Sequence, residues 1–182
     1  MIETEIRKKV SVALQGIKTK RKAYTFVSKS EYCQIVNNEI MQFLINKNKY
    51  SGIYVTLNKA HCDTVKRLES KKIETKNILF IDNQEKECGA NNCIFIGNKS
   101  LTALSLAMSE ACKSRSMEFI FFDSVTTLLI YNKVENVERF IHFFLNKIKN
   151  LNILMVIMSV EEEKTEKIIP ILEQFCEGCI RI

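Results

Sequence analysis

Apolar and polar positions along this chain follow two rhythms, and the changes between them mark out its elements. Residues 3–16 set Ile6, Val10, Ala13 and Leu14 at helical spacing, with Ile17 just beyond; Gly16 and a basic run end that helix. Residues 23–28 are short, apolar and rich in β-formers, as a buried strand should be. From 30 to 47 the spacing turns helical again, with Ile35, Val36, Ile40, Phe43 and Leu44 on one side and Ser30 placed to cap the start. The same alternation predicts strands over 53–57, 77–82, 118–123, 151–159 and 179–182. Helices are predicted over 60–72, 100–113, 134–148 and 164–175. Residues 83–98 read as a loop, holding two of the five glycines and a short apolar stretch at 93–96.

Strands that alternate with helices and are apolar along most of their length imply a parallel sheet covered on both faces. The chain has 182 residues, enough for one full core, and shows no repeat and no Pro-, Gly- or Ser-rich linker. The expected organisation is an N-terminal helix and basic turn over 1–20, then a single domain over 21–182. Hydrophobic residues at 46% and charged residues at 26% exclude wholesale disorder. No apolar run reaches the roughly 18 residues that would span a bilayer, and the first residues lack the apolar core of a signal peptide. The expectation is a cytoplasmic protein that does not insert into membranes.

Seven cysteines change this picture little. Most, such as Cys33, Cys112 and Cys179, sit inside apolar patterns and read as reduced thiols packed like small hydrophobes. Cys176 and Cys179 form a CxxC that could bind metal with a second pair, Cys88 and Cys93, which has the looser four-residue gap; reduced, buried thiols are the plainer reading. His61 is expected on the exposed start of its helix, and His142 among phenylalanines; neither has a partner at ligand spacing. The net charge of +6 is concentrated early, at Arg7, Lys8, Lys9, Lys18, Lys20, Arg21 and Lys22. Such a cluster suits phosphate contact. No aromatic residue interleaves with it, so a solvated surface is the plainer reading. The band Phe140, Ile141, Phe143 and Phe144 is wider than one core stripe needs, which opens a partner-face reading beside the core one.

Ligands of open α/β sheets bind at the carboxyl ends of the strands. Here those ends carry Ser28-Lys29-Ser30, Asn58-Lys59, Asp82-Asn83 and Asp123-Ser124. The stretch from Ile53 to Asn58, a helix, then Asn77 to Asp82 resembles the second and third strands of the RecA/KaiC superfamily. The run Phe119-Ile-Phe-Phe-Asp-Ser-Val-Thr-Thr-Leu-Leu-Ile-Tyr131 resembles its Walker B strand and the segment after it. Over about residues 22–182 the chain is similar to the archaeal KaiC-like single-domain proteins. The resemblance implies a RecA-like three-layer α/β sandwich with a mostly parallel central sheet.

It also implies a phosphate loop where Ser28-Lys29-Ser30-Glu31-Tyr32 stands, and this stretch has no glycine. Glycines let successive backbone N–H groups converge on phosphates without Cβ clashes. Lys29 and Ser30 carry suitable functional groups, but Glu31 would repel phosphate: like unit charges about 4 Å apart cost roughly 4 kcal/mol at an effective dielectric of 20. The resemblance further implies paired glutamates at the end of the second strand, where Asn58 and Lys59 stand; neither is a base at neutral pH. Lys29, Ser30, Asp123 and Ser124 are therefore the expected remnant of a nucleotide site, with no catalytic set and no metal ligands. Asp123 has two readings, a residue reaching magnesium or an acid capping the turn after its strand. The expected function is a non-catalytic, regulatory or scaffold domain working through an unidentified protein partner, as a monomer or dimer and without a cofactor. The alternatives are a nucleotide-binding ATPase or switch using ATP with Mg through a divergent loop, and a nucleic-acid accessory protein.

Overall fold

The sheet is built from strands whose side chains are apolar on both faces. A computed structural model describes residues 2–17, 22–83, 92–97, 100–114 and 116–182. Among these residues seven strands, β1 (Ala23–Ser28), β2 (Gly52–Thr56), β3 (Ile78–Asp82), β4 (Cys93–Phe95), β5 (Phe119–Asp123), β6 (Leu154–Val160) and β7 (Gly178–Arg181), pair in the order β4-β3-β2-β5-β6-β1-β7. Each of these pairings is parallel. The three-layer α/β architecture is thus as expected.

Alternation along each strand divides the core in two. Phe26, Tyr54, Phe80, Phe119, Phe121, Val156 and Met158 face one layer of helices: α1 (Ile2–Gln15), α2 (Cys33–Met41, continued to Lys47 by a wider π-helical turn) and α3 (His61–Ser70). Ile53, Val55, Ile81, Ile120, Phe122, Met155 and Ile157 face the other. That layer contains α4 (Leu101–Ser114), α5 (Val125–Tyr131), α6 (Val134–Lys149) and α7 (Ile169–Phe175). The apolar stripe of α1, Ile6, Val10 and Leu14, closes over the same core as α2. The π-helical turn brings Gln42 and Asn46 over the last turn of α3, where their amides donate to the carbonyls of Lys71 and Lys72, each at 2.8 Å. Those carbonyls would otherwise be unpaired at a helix end.

Two elements were not predicted. The stretch at 93–96, read as part of a loop, supplies the edge strand β4; the preceding residues 84–91, with Cys88, lie outside the described residues. Helix α5 follows directly on β5.

β2 starts at Gly52, between Ile78 of β3 and Phe119 of β5. A Cβ at this position would come within 2.3 Å of the Phe119 ring, and that ring is itself fully buried. Gly52→Ala should therefore lower the unfolding free energy by at least about 1 kcal/mol through overpacking. An unchanged denaturant midpoint and slope would remove this explanation for the glycine.

Candidate functional site

The residues of the expected remnant site lie at the carboxyl edge of the sheet, at the ends of two strands that are not neighbours. β1 runs to Ser28, and the chain then turns into a helix almost at once. Lys29 alone links the strand to a 3₁₀ turn (Ser30–Tyr32) that leads into α2. The amide of Tyr32 donates to the Lys29 carbonyl at 3.0 Å, and that of Cys33 to the Ser30 carbonyl. A phosphate loop needs several residues between strand and helix, with amides free to point at the anion. Here a single residue, Lys29, stands between strand and helix, shorter than such a loop. Lys29 and Ser30 are exposed to solvent. Ser28, fully buried, hydrogen-bonds the Cys33 thiol at 3.2 Å. Burial, with the charge of Asp123 adding to it, pushes that thiol above its ordinary pKa.

β6 separates β1 from β5, so the ends of the two strands stand about 10 Å apart, two strand spacings. Asp123 ends β5, and its side chain points to the α2–α3 layer. Its Oδ2 accepts a hydrogen bond of 2.6 Å from the hydroxyl of Tyr54 on β2. That hydroxyl in turn accepts one of 2.9 Å from Nη2 of Arg67 on α3, and Arg67 Nη1 donates to Asn38 on α2. The residue that would reach a magnesium ion is thus joined through a tyrosine to an internal guanidinium. The turn-capping reading is also corrected: the bond partner is a side chain on the neighbouring strand rather than a local backbone amide. Tyr54 is completely buried, and burial, reinforced by the Asp123 charge, holds its hydroxyl well above the usual tyrosine pKa. It stays a donor over the whole working range of pH. Ser124, after a cis Asp123–Ser124 peptide, stands at the N-cap position just before α5, without a side-chain cap bond. Thr126 Oγ1 accepts from the Val160 amide at 2.8 Å and ties α5 to β6.

The other strand ends also carry hydrogen bonds within the fold. Asp82, fully buried, accepts the His61 amide at 2.7 Å and so holds the N-terminus of α3. His61 is not on an exposed helix start: it is 4% exposed, its ring stands edge-on to Phe80 at 4.6 Å, and burial lowers its pKa. Asn58 and Lys59, where the superfamily resemblance implies paired glutamates, sit in an exposed bend; the Lys59 carbonyl accepts from the Thr56 hydroxyl. His142 is exposed, against Phe175 at 4.7 Å. Among the described residues no group of three His, Cys, Asp or Glu could hold a metal ion.

Sequence reasoning missed Tyr54, Arg67 and Asn38 as members of one network. The available signal was Arg67 itself, a cation one turn from Thr64 on the side of α3 that also buries His61 and Leu68. The early basic cluster is partly neutralised: Arg7 pairs with Glu3 and Glu39, Lys9 with Glu5, and Lys22 with Glu177. Residues 18–21 lie outside the described residues.

The family described as KaiC ATPase matches residues 40–182, well over half of the chain. This chain belongs to the KaiC family. The match begins inside α2, past β1 and the whole of the segment where the phosphate loop would stand. Among solved structures the chain is similar to a KaiC-like protein from the hyperthermophilic archaeon Pyrococcus horikoshii OT3, at 12% identity and a TM-score of 0.66, covering 89% of this chain and 71% of that one. It is also similar to the flagellar accessory protein FlaH from Methanocaldococcus jannaschii, at 14% identity and a TM-score of 0.55, covering 97% and 76%. At these identities the likeness concerns the fold. No curated protein matches the chain significantly. No helix among the described residues is long and apolar enough to cross a membrane.

Proposed function

We propose that this KaiC-family domain is non-catalytic and works as a regulatory or scaffold protein through contacts with another protein. The observation that carries this reading is the junction at Ser28–Cys33, where a single residue stands between strand and helix. Two further features support it. Asp123 is already engaged by Tyr54, and the bend at Asn58-Lys59 supplies no general base. Remnant Lys29, Ser30, Asp123 and Ser124 then have structural or solvent-facing roles, and no cofactor is required.

The test is a thermal melt with and without Mg-ATP, paired with a phosphate-release assay. A ligand present at a hundred times its Kd raises stability by about 2.7 kcal/mol, several degrees for a domain of this size. The expected result is an unchanged Tm and no turnover. A nucleotide-dependent rise that Lys29→Ala and Asp123→Ala each abolish would instead establish the alternative, a nucleotide switch with a divergent loop.

A further inference from the structure

The layer opposite Tyr54 and Asp123 holds an open groove with exposed apolar side chains. The groove, of about 850 Å³, is lined mainly by residues of α4 and α6. Leu106 on α4 and Phe143 on α6 line it and are 59% and 56% exposed. Ile130 and Tyr131, also more than half exposed, directly precede Asn132 at its end. Four of the six large apolar side chains exposed among the described residues thus belong to this layer; the other two, Ile2 and Val12, are on α1. Water-facing phenylalanine and leucine opposite one another are what a docking groove needs and a solvated helix pair does not.

The groove also carries an excess of positive charge. Lys113, Arg139 and Lys147 line it against Glu110 alone. Lys147 is fixed in place: its Nζ donates to Ser109 Oγ at 2.6 Å across the two helices and lies 5.8 Å from the Phe143 ring centre. On α6 the lining positions 136, 140, 143 and 147 follow one helical stripe, and on α4 positions 102, 105, 106, 109 and 113 follow another. Two helical stripes lining one groove can accept a third helix between them. From 101 to 113 the wall is about 18 Å long at 1.5 Å per residue, three to four turns of a partner.

We infer that the α4–α6 groove is the docking site of a partner protein, and that the docked element is an amphipathic helix with leucine or aromatic anchors flanked by aspartate and glutamate. The inference rests on the reading that this domain works through protein contact and names the surface. Carboxylates on the partner meet Lys113, Arg139 and Lys147, setting orientation and association rate, while burial of Leu106 and Phe143 supplies the bulk of the affinity. A nucleic-acid backbone fits less well, because its phosphates would leave the exposed Leu106 and Phe143 without an apolar partner.

The test is selection on the 182-residue chain from a displayed library of helices of roughly fourteen residues, randomised at anchor and flanking positions, with counter-selection against Phe143→Asp. Both Phe143 and Leu106 are largely exposed, so aspartate at either position leaves the fold intact, which circular dichroism checks. Enriched sequences should carry apolar anchors at i, i+3 or i+4 and i+7 with acidic flanks. Their affinity by fluorescence anisotropy should fall about tenfold or more with Phe143→Asp or Leu106→Asp. Lys113→Glu with Arg139→Glu should weaken acidic peptides about tenfold and favour versions with lysine flanks. No enrichment, basic flanks, or binding indifferent to these variants would overturn the inference. So would self-association of the free chain that Phe143→Asp abolishes, or a labelled single-stranded oligonucleotide that competes for the groove. Nucleotide binding in the melt assay would instead remove the non-catalytic reading and leave the groove untouched.

Discussion

Phe121→Ala is expected to cost about 3–5 kcal/mol of folding stability, because it empties the middle of the sheet. Phe121 is the central residue of β5, paired with Tyr54 on one side and Val156 on the other, and it is completely buried. Its ring lies 5.0 Å from that of Tyr54 at 56°, a tilted aromatic contact that adds to the area it buries. Fully buried Phe26, Phe80, Phe119 and Tyr54 share its face of the sheet, so neighbouring side chains have little freedom to refill the space. Urea melts of Phe121→Ala and Phe143→Ala give the comparison. The exposed Phe143 should change stability by no more than about 0.5 kcal/mol. Similar losses at the two sites would mean that the sheet face is not the dominant core.

How much of this was legible in sequence depends on how local each signal is. The strands β1, β2, β3, β5 and β6 announce themselves because a strand buried on both faces must be apolar throughout, and nothing polar interrupts the runs for long. α5 was missed for a related reason: Val125 to Tyr131 is only seven residues, nearly all apolar or threonine, and has no polar face to reveal a helical period. β4 is three half-buried residues at the sheet edge, too short for any pattern. The absence of glycine over 28–32 was visible in sequence, and a one-residue junction between strand and helix stands there in the structure. The fate of Asp123 was not visible. Its partners come from β2 and α3, 69 and 56 positions away in sequence by way of Tyr54 and Arg67. His61 misled in the same way, since Asp82, which fixes its helix start, lies 21 residues further on.

Tyr54→Phe is expected to cost about 2–3 kcal/mol near pH 7 while leaving the ring in place. The hydroxyl makes two bonds to ionised groups, donating to Asp123 and accepting from Arg67, and such bonds are worth about 1.5–3 kcal/mol when one partner is lost in a buried setting. Its pH dependence has a definite sign. The folded-state pKa is raised above that of the unfolded chain, near 10, so its stabilising contribution is complete below that pH. Above it the unfolded chain loses the proton while the folded protein retains it, and the contribution falls. The stability gap between parent and Tyr54→Phe should therefore hold steady from about pH 7 to 9 and narrow towards pH 11. A double-mutant cycle with Asp123→Ala adds the functional dimension. A carboxylate kept for magnesium would act independently of Tyr54, and the two substitutions would add. A carboxylate committed to the tyrosine and, through it, to Arg67 predicts a coupling of about 1 kcal/mol or more. Additive losses, or a gap that does not change with pH, would detach Asp123 from the network and reopen it as a ligand-reaching residue.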